Sequence, residues 1–164
     1  MGVALLIRDP QSGAYSRAFF DEIIERELER ARRHGVVLSV MSVVLSNWEA
    51  FVAAEAAATV DGVVRTIANT LLANLRMTDF LFRWEDDEFL ALLVEADLDA
   101  CKLKVARLGE TFKPWRDGKG PTPRPLKVRV GAATLTGDLV FAGVLQIARA
   151  AARDTSGEFS AIRV

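Results

Sequence analysis

One cysteine and one histidine are all that 164 residues hold of those two types, and each scarcity closes a route. A single Cys101 cannot form an internal disulfide, so a reducing, cytoplasmic setting is the expectation. His34 has no obvious partner as a ligand or base, and after Arg30, Arg32 and Arg33 it reads as a capping residue in a basic last helical turn. Long apolar runs are missing: Val36–Leu45 is the longest, it is broken by serines, and it falls short of a membrane span. The opening MGVALLIRDP lacks a basic stretch followed by a long apolar one, so no signal peptide is read there. There is also no excess charge of one sign. A net charge of −1 gives no broad attraction for nucleic acid or an anionic membrane, so neither is expected as a partner and any anion site must be local.

What is present suits one soluble globular domain spanning 1–164, with 51% hydrophobic and 26% charged residues and enough chain to bury a core. Phe20, Ile23, Ile24, Leu28 and Ala31 recur at helical spacing until Gly35 stops them. Val36–Leu45 is apolar and β-branched, a strand covered on both faces. Ala50–Ala58 reads as helical, and Val60, Val63, Val64, Ile67, Ala68, Leu71, Leu72 and Leu75 mark an amphipathic helix. Another helix begins at Ala96-Asp97 with Leu98, Cys101, Val105, Leu108 and Phe112 inward. Lys113–Pro125 reads as a wet loop, since its Pro and Gly forbid regular structure; a basic flap over a phosphate is the functional alternative. A strand over Leu126–Thr134 containing Gly131, a helix over Leu139–Arg153, a stop at Gly157 and a strand over Phe159–Val164 complete the chain. Interleaved strands and helices with one hairpin predict a single mixed sheet with helices on both faces.

The hairpin is the centre of the pattern. Phe80–Trp84 and Glu88–Val94 are its arms, and Glu85, Asp86 and Asp87 are its turn. Tight hairpin turns favour Gly or Asn because a corner residue takes positive φ. Acids here predict backbone strain of about 1–2 kcal/mol, together with repulsion among the carboxylates. Such a broken local rule points to function.

These segments together resemble the GGDEF family, the diguanylate cyclases that condense two GTP into cyclic di-GMP. D-P-Q-S-G-A-Y-S-R from Asp9 is similar to the family's D-x-L-T-G-L-x-N-R, and D-G-V-V-R-T-I-A at Asp61–Ala68 to its G-D-x-V-L-R-x-L-A. R-W-E-D-D-E-F at Arg83–Phe89 stands where the family has R-Y-G-G-D-E-F, and V-R-V-G-A-A at Val128–Ala133 is similar to its V-S-I-G-V-A. The resemblance covers nearly every residue from Asp9 onward. It implies an α+β fold, a five-stranded, mostly antiparallel sheet wrapped by helices, and it implies no cofactor.

It also defines departures. Glu85 and Asp86 replace the two glycines that let the hairpin approach GTP. Val44 falls where the resemblance implies a metal-binding aspartate, and Val52 where it implies a guanine-reading asparagine, with the companion acid kept as Asp61. Asp154, or Arg153 if the gap shifts, falls where it implies a phosphate-binding lysine. Asp61, Glu85, Asp86, Asp87 and Glu88 are then remnants of an active site, no metal is held, and the chain is expected not to be an enzyme.

The resemblance implies one surviving site. Arg76-Met77-Thr78-Asp79 stands at the spacing of the family's product-binding R-x-x-D, with Arg107 where a second arginine serves the same ligand. An arginine fork suits phosphate oxygens or a guanine O6/N7 edge, and a carboxylate accepts from guanine N1–H and N2–H. The plain alternative is that Arg76 and Asp79 cap a helix end and pair on the surface. Three functions stay open: a receptor that binds cyclic di-GMP as an intercalated dimer, a nucleotide-independent dimerisation or protein-binding module, and a regulatory GTP-binding domain. A lone domain opening at Met1-Gly2 is expected to be a piece of a longer protein or an unusually short one.

Overall fold

The computed structural model describes residues 6–136 and 140–154 in full and the backbone of 159–163. Helix α1, Arg17–His34, opens where Ser16 Oγ accepts the Phe19 N–H and closes where Gly35 takes a φ of 63°, the left-handed turn that favours glycine. His34 lies exposed in the basic last turn. Strand β1, Leu38–Leu45, is buried at every position, as its unbroken apolar run predicts. Helices α2, Trp48–Ala54, and α3, Ala57–Ala73, follow. The continuous helix expected over Ala50–Ala58 breaks at Glu55 and Ala56, both extended; Glu55 there receives Arg124 at 2.5 Å.

Strands β2, Phe80–Glu85, and β3, Glu88–Val94, form the hairpin. Helix α4, Leu98–Arg116, starts from Asp97, whose carboxylate accepts the Ala100 N–H. Its far end corrects the expected loop: Lys113–Arg116 is helical despite Pro114. Trp115 is buried edge-on against Phe112, and holding that ring inside outweighs the one backbone bond that proline forfeits. Strand β4, Val128–Thr134, helix α5, Phe141–Arg153, and strand β5, Phe159–Arg163, complete the domain. Leu139, Gly157 and Val164, named in the sequence reading, lie outside the described residues.

The sheet runs β2-β3-β1-β4-β5, antiparallel except for the parallel pair of β4 and β5. Period-two alternation splits the core. Met41, Val43 and Leu45 face α2, α3 and α4, while Val40 faces α1 and α5. On α3 the predicted stripe holds from Val60 to Leu71, but Leu72 sits at its edge and is exposed. Among the described residues no helix is long and apolar enough to cross a membrane.

Candidate functional site

The hairpin turn is neither strained nor unpaired, which corrects both expectations. Glu95 is the only described non-glycine residue with positive φ, so Asp86 and Asp87 turn the corner in ordinary backbone regions. A register shift between Arg83 and Glu85 supplies the extra twist that such a turn needs. Glu85 and Asp87 also each meet a cation from a distant part of the chain. Glu85 pairs with Arg17 at 2.8 Å and Asp87 with Arg153 at 3.3 Å.

Glu88 is fully buried. Arg149 meets it in a two-bond fork, 2.9 Å at each oxygen; Arg153 adds a bond of 3.1 Å and Ser42 Oγ donates at 2.9 Å. The fork raises the pKa of Arg149. That of Arg153 also rises, because its bonds to Asp87 and Glu88 outweigh the opposing effect of burial. Arg83, itself buried, donates to the carbonyls of Glu85 and Asp86 at 3.0 and 2.6 Å and reaches Asp9 at 3.2 Å and Gln11 at 3.0 Å. Four arginines thus clamp the acidic turn.

Replacing Glu85 and Asp86 by Asn-Gly is therefore expected to change stability by less than about 1 kcal/mol, since the exposed Glu85–Arg17 pair contributes little. A thermal melt of the double variant checks this.

The other positions singled out from the sequence scatter. Val44 is buried opposite Glu88 and brings no oxygen, and both Glu88 oxygens already accept from arginine. This donor set does not match the oxygen-rich shell of a divalent ion. Val52 lines an open cleft of about 430 Å3 with Trp48, Glu49, Asp86 and Asp87. Asp61 is not brought there: Gln11 donates to it at 2.9 Å in a separate recess beside Arg65. The backbone carbonyl of Asp154 receives Arg129. Arg124, in the basic loop, is committed to Glu55, and the end of that loop is pinned where Asn47 bonds Pro125 and Lys127.

A second cleft lies on the far side of the hairpin. Arg76 stands in the α3–β2 connection, and Asp79 holds that connection in shape. One carboxylate oxygen accepts the Arg76 N–H at 2.9 Å and the other the Val94 N–H at 3.0 Å. The capping half of the plain alternative is therefore present, but the surface pair is not. Arg76 and Arg107 are exposed, and among the described residues neither guanidinium has an ion pair. Arg76, Asp79 and Arg107 line one open cleft of about 370 Å3, whose apolar lining includes Ala73, Ala96 and Ala100 beside Leu75, Leu93 and Leu103. Lys104, which the sequence reading missed, lines it too. Its pKa is lowered, first by burial and then by the charges of Arg76 and Arg107, against the pull of Asp79. The signal was available: Lys104 precedes Arg107 by three residues, one helical turn on the same face.

A five-stranded, mostly antiparallel sheet with an acidic hairpin at one edge and helices on both faces is the fold that the resemblance implied. The family described as "Diguanylate cyclase, GGDEF domain" matches residues 6–155, and the chain belongs to that family. The diguanylate cyclase DosC of Escherichia coli is 27% identical over 137 residues, which is 81% of this chain and 29% of DosC. The chain thus spans under a third of the length of that relative.

Among solved structures, the diguanylate cyclase SiaD of Pseudomonas aeruginosa, in complex with its activator SiaC, superposes with a TM-score of 0.81. Its identity is 24%, covering 96% of this chain and 62% of SiaD. The GGDEF domain of DgcB from Caulobacter crescentus, in complex with c-di-GMP, gives 0.80 at 16% identity, with 98% of each chain covered. The expectation that the chain is not an enzyme is overturned by these findings: the matching family and its curated relatives carry the name of an enzyme, diguanylate cyclase.

Proposed function

We propose that the chain is a cyclic di-GMP receptor in bacterial second-messenger signalling, binding its ligand as an intercalated cyclic di-GMP dimer in the cleft of Arg76, Asp79 and Arg107. One observation carries this reading: two exposed guanidiniums without an acid partner among the described residues share an open cleft with a carboxylate and apolar side chains, three of them alanines. Guanidinium forks suit phosphate oxygens and guanine O6/N7 edges, and the alanines leave room for a flat base. Asp79 spends one lone pair of each oxygen on the backbone and keeps the outer ones for guanine N–H groups. The c-di-GMP complex of the similarly folded DgcB domain supports the ligand class.

Calorimetry with micromolar cyclic di-GMP tests the proposal. Arg76→Ala is expected to weaken binding at least about tenfold, the loss of a bond to a charged group, and Arg107→Ala to act in the same direction. Asp87→Ala, across the hairpin, is expected to leave affinity unchanged. Asp79→Ala is a poorer probe because it also frees the backbone of Arg76 and Val94. No heat with the wild type, or wild-type affinity in Arg76→Ala, would sink the receptor reading and favour a protein-binding module.

A further inference from the structure

The cleft holds a cation that neither the R-x-x-D motif nor the family resemblance supplies. Lys104, partly buried on α4, extends along the cleft wall, and its ammonium donates to the Asn74 carbonyl at 2.5 Å. That carbonyl is at the C-terminal end of α3, where a cation is favourable but water serves equally well once the group is accessible. An ammonium carries three donors, and one is used among the described contacts. The single acid in the cleft, Asp79, is directed at backbone N–H groups, and no ion pair joins it to Lys104 among the described residues. Three cations therefore share the cleft with one carboxylate. The depressed pKa of Lys104 reports the same imbalance: burial and two arginines press on its charge, and Asp79 answers only in part.

We infer that Lys104 is a further ligand-contacting residue of this cleft, its ammonium leaving the Asn74 carbonyl to meet a phosphate oxygen of the bound nucleotide. The inference rests on the receptor reading above and adds to it a contact that selects for phosphate charge. Lysine's flexible stem and point charge suit a phosphate, whereas the planar forks of Arg76 and Arg107 are better used on guanine edges. A phosphate arriving beside a partly buried ammonium favours its charged form, so at alkaline pH binding draws in a proton. The charged or titratable groups facing Lys104 are Asp79, Arg76, Arg107 and the thiol of Cys101. Burial holds the thiol above its ordinary pKa, so a Cys101→Ser variant separates its protons from those of Lys104.

The test is calorimetry with cyclic di-GMP on the wild type, Lys104→Met, Lys104→Arg and Cys101→Ser, at alkaline pH in two buffers of different ionisation enthalpy. Expected are proton uptake in the wild type and in Cys101→Ser, and none in Lys104→Met. Lys104→Met should bind about tenfold or more weakly, with most affinity recovered in Lys104→Arg. A purely structural lysine would lower the melting temperature of Lys104→Met and leave its affinity and proton uptake at the wild-type level; that result overturns the inference. If Lys104→Met does not fold, the decision falls to proton uptake in the wild type and Cys101→Ser, and its absence overturns the inference. Binding by the wild type with these signatures missing removes the role of Lys104 alone. No binding by the wild type removes the receptor reading, and this inference with it.

Discussion

Arg149→Met is expected to cost about 3 kcal/mol, the low end of the range for stripping one partner from a buried ion pair, and more than any other arginine replacement around the hairpin. The reason lies with the acid. Glu88 is fully buried, and the two 2.9 Å bonds from Arg149 are its main compensation. Methionine keeps most of the stem volume, so the loss reports charge rather than a cavity. Arg153 and Ser42 remain at 3.1 and 2.9 Å, which is why the low end applies. Arg17→Met should by contrast cost under about 1 kcal/mol, because its pair with Glu85 is half in water. Urea midpoints measure both. Adding Glu88→Gln to Arg149→Met should recover part of the loss, since a buried amide is cheaper to leave short of a partner than a buried carboxylate. A loss below about 1 kcal/mol in Arg149→Met would show that Arg153 alone compensates the acid.

The arginine clamp is also where local sequence reasoning failed. Glu85, Asp87 and Glu88 looked like repelling charges because their partners lie far away in sequence: Arg17 before the hairpin, Arg149 and Arg153 after it. Spacing rules reach a helical turn or a strand neighbour, so a pairing across the sheet is invisible to them. One local sign existed, since Arg149 and Arg153 are four apart and must share a face of α5. Strain was misjudged for a related reason. Turn chemistry assumes a regular register, and the shift between Arg83 and Glu85 relieved it.

The hairpin arms, the α3 stripe as far as Leu71 and the Gly35 stop were legible, because period and capping are local properties. Arg76 and Asp79 were legible as a four-residue motif, but the backbone-holding bonds of Asp79 and the presence of Lys104 needed the fold. Asp61 was joined to Val52 by what the resemblance implies for guanine reading, and the fold sets the two in different recesses.

Gly131→Ala is expected to destabilise the domain by about 3 kcal/mol, at the upper end of the usual overpacking cost. A glycine inside a strand often marks the close approach of another backbone, and here that backbone is α5. A Cβ on Gly131 would stand 2.3 Å from the Ala152 nitrogen and 2.4 Å from the Ala148 oxygen. Neither atom belongs to a side chain that can rotate away, so α5 must lift from β4. Ala148, Ala151 and Ala152, all buried, show the same contact from the helix side. Lifting α5 also carries Arg149 and Arg153 away from Glu88, so the steric and electrostatic penalties should couple. Gly62→Ala supplies the contrast, since an added Cβ there meets nothing within 4 Å and the site is helical. That change should stabilise by roughly 0.5–1 kcal/mol. Opposite shifts in the urea midpoint for the two alanine variants would tie the cost to the close approach of α5. A loss under about 1 kcal/mol for Gly131→Ala would mean that the helix yields at little expense.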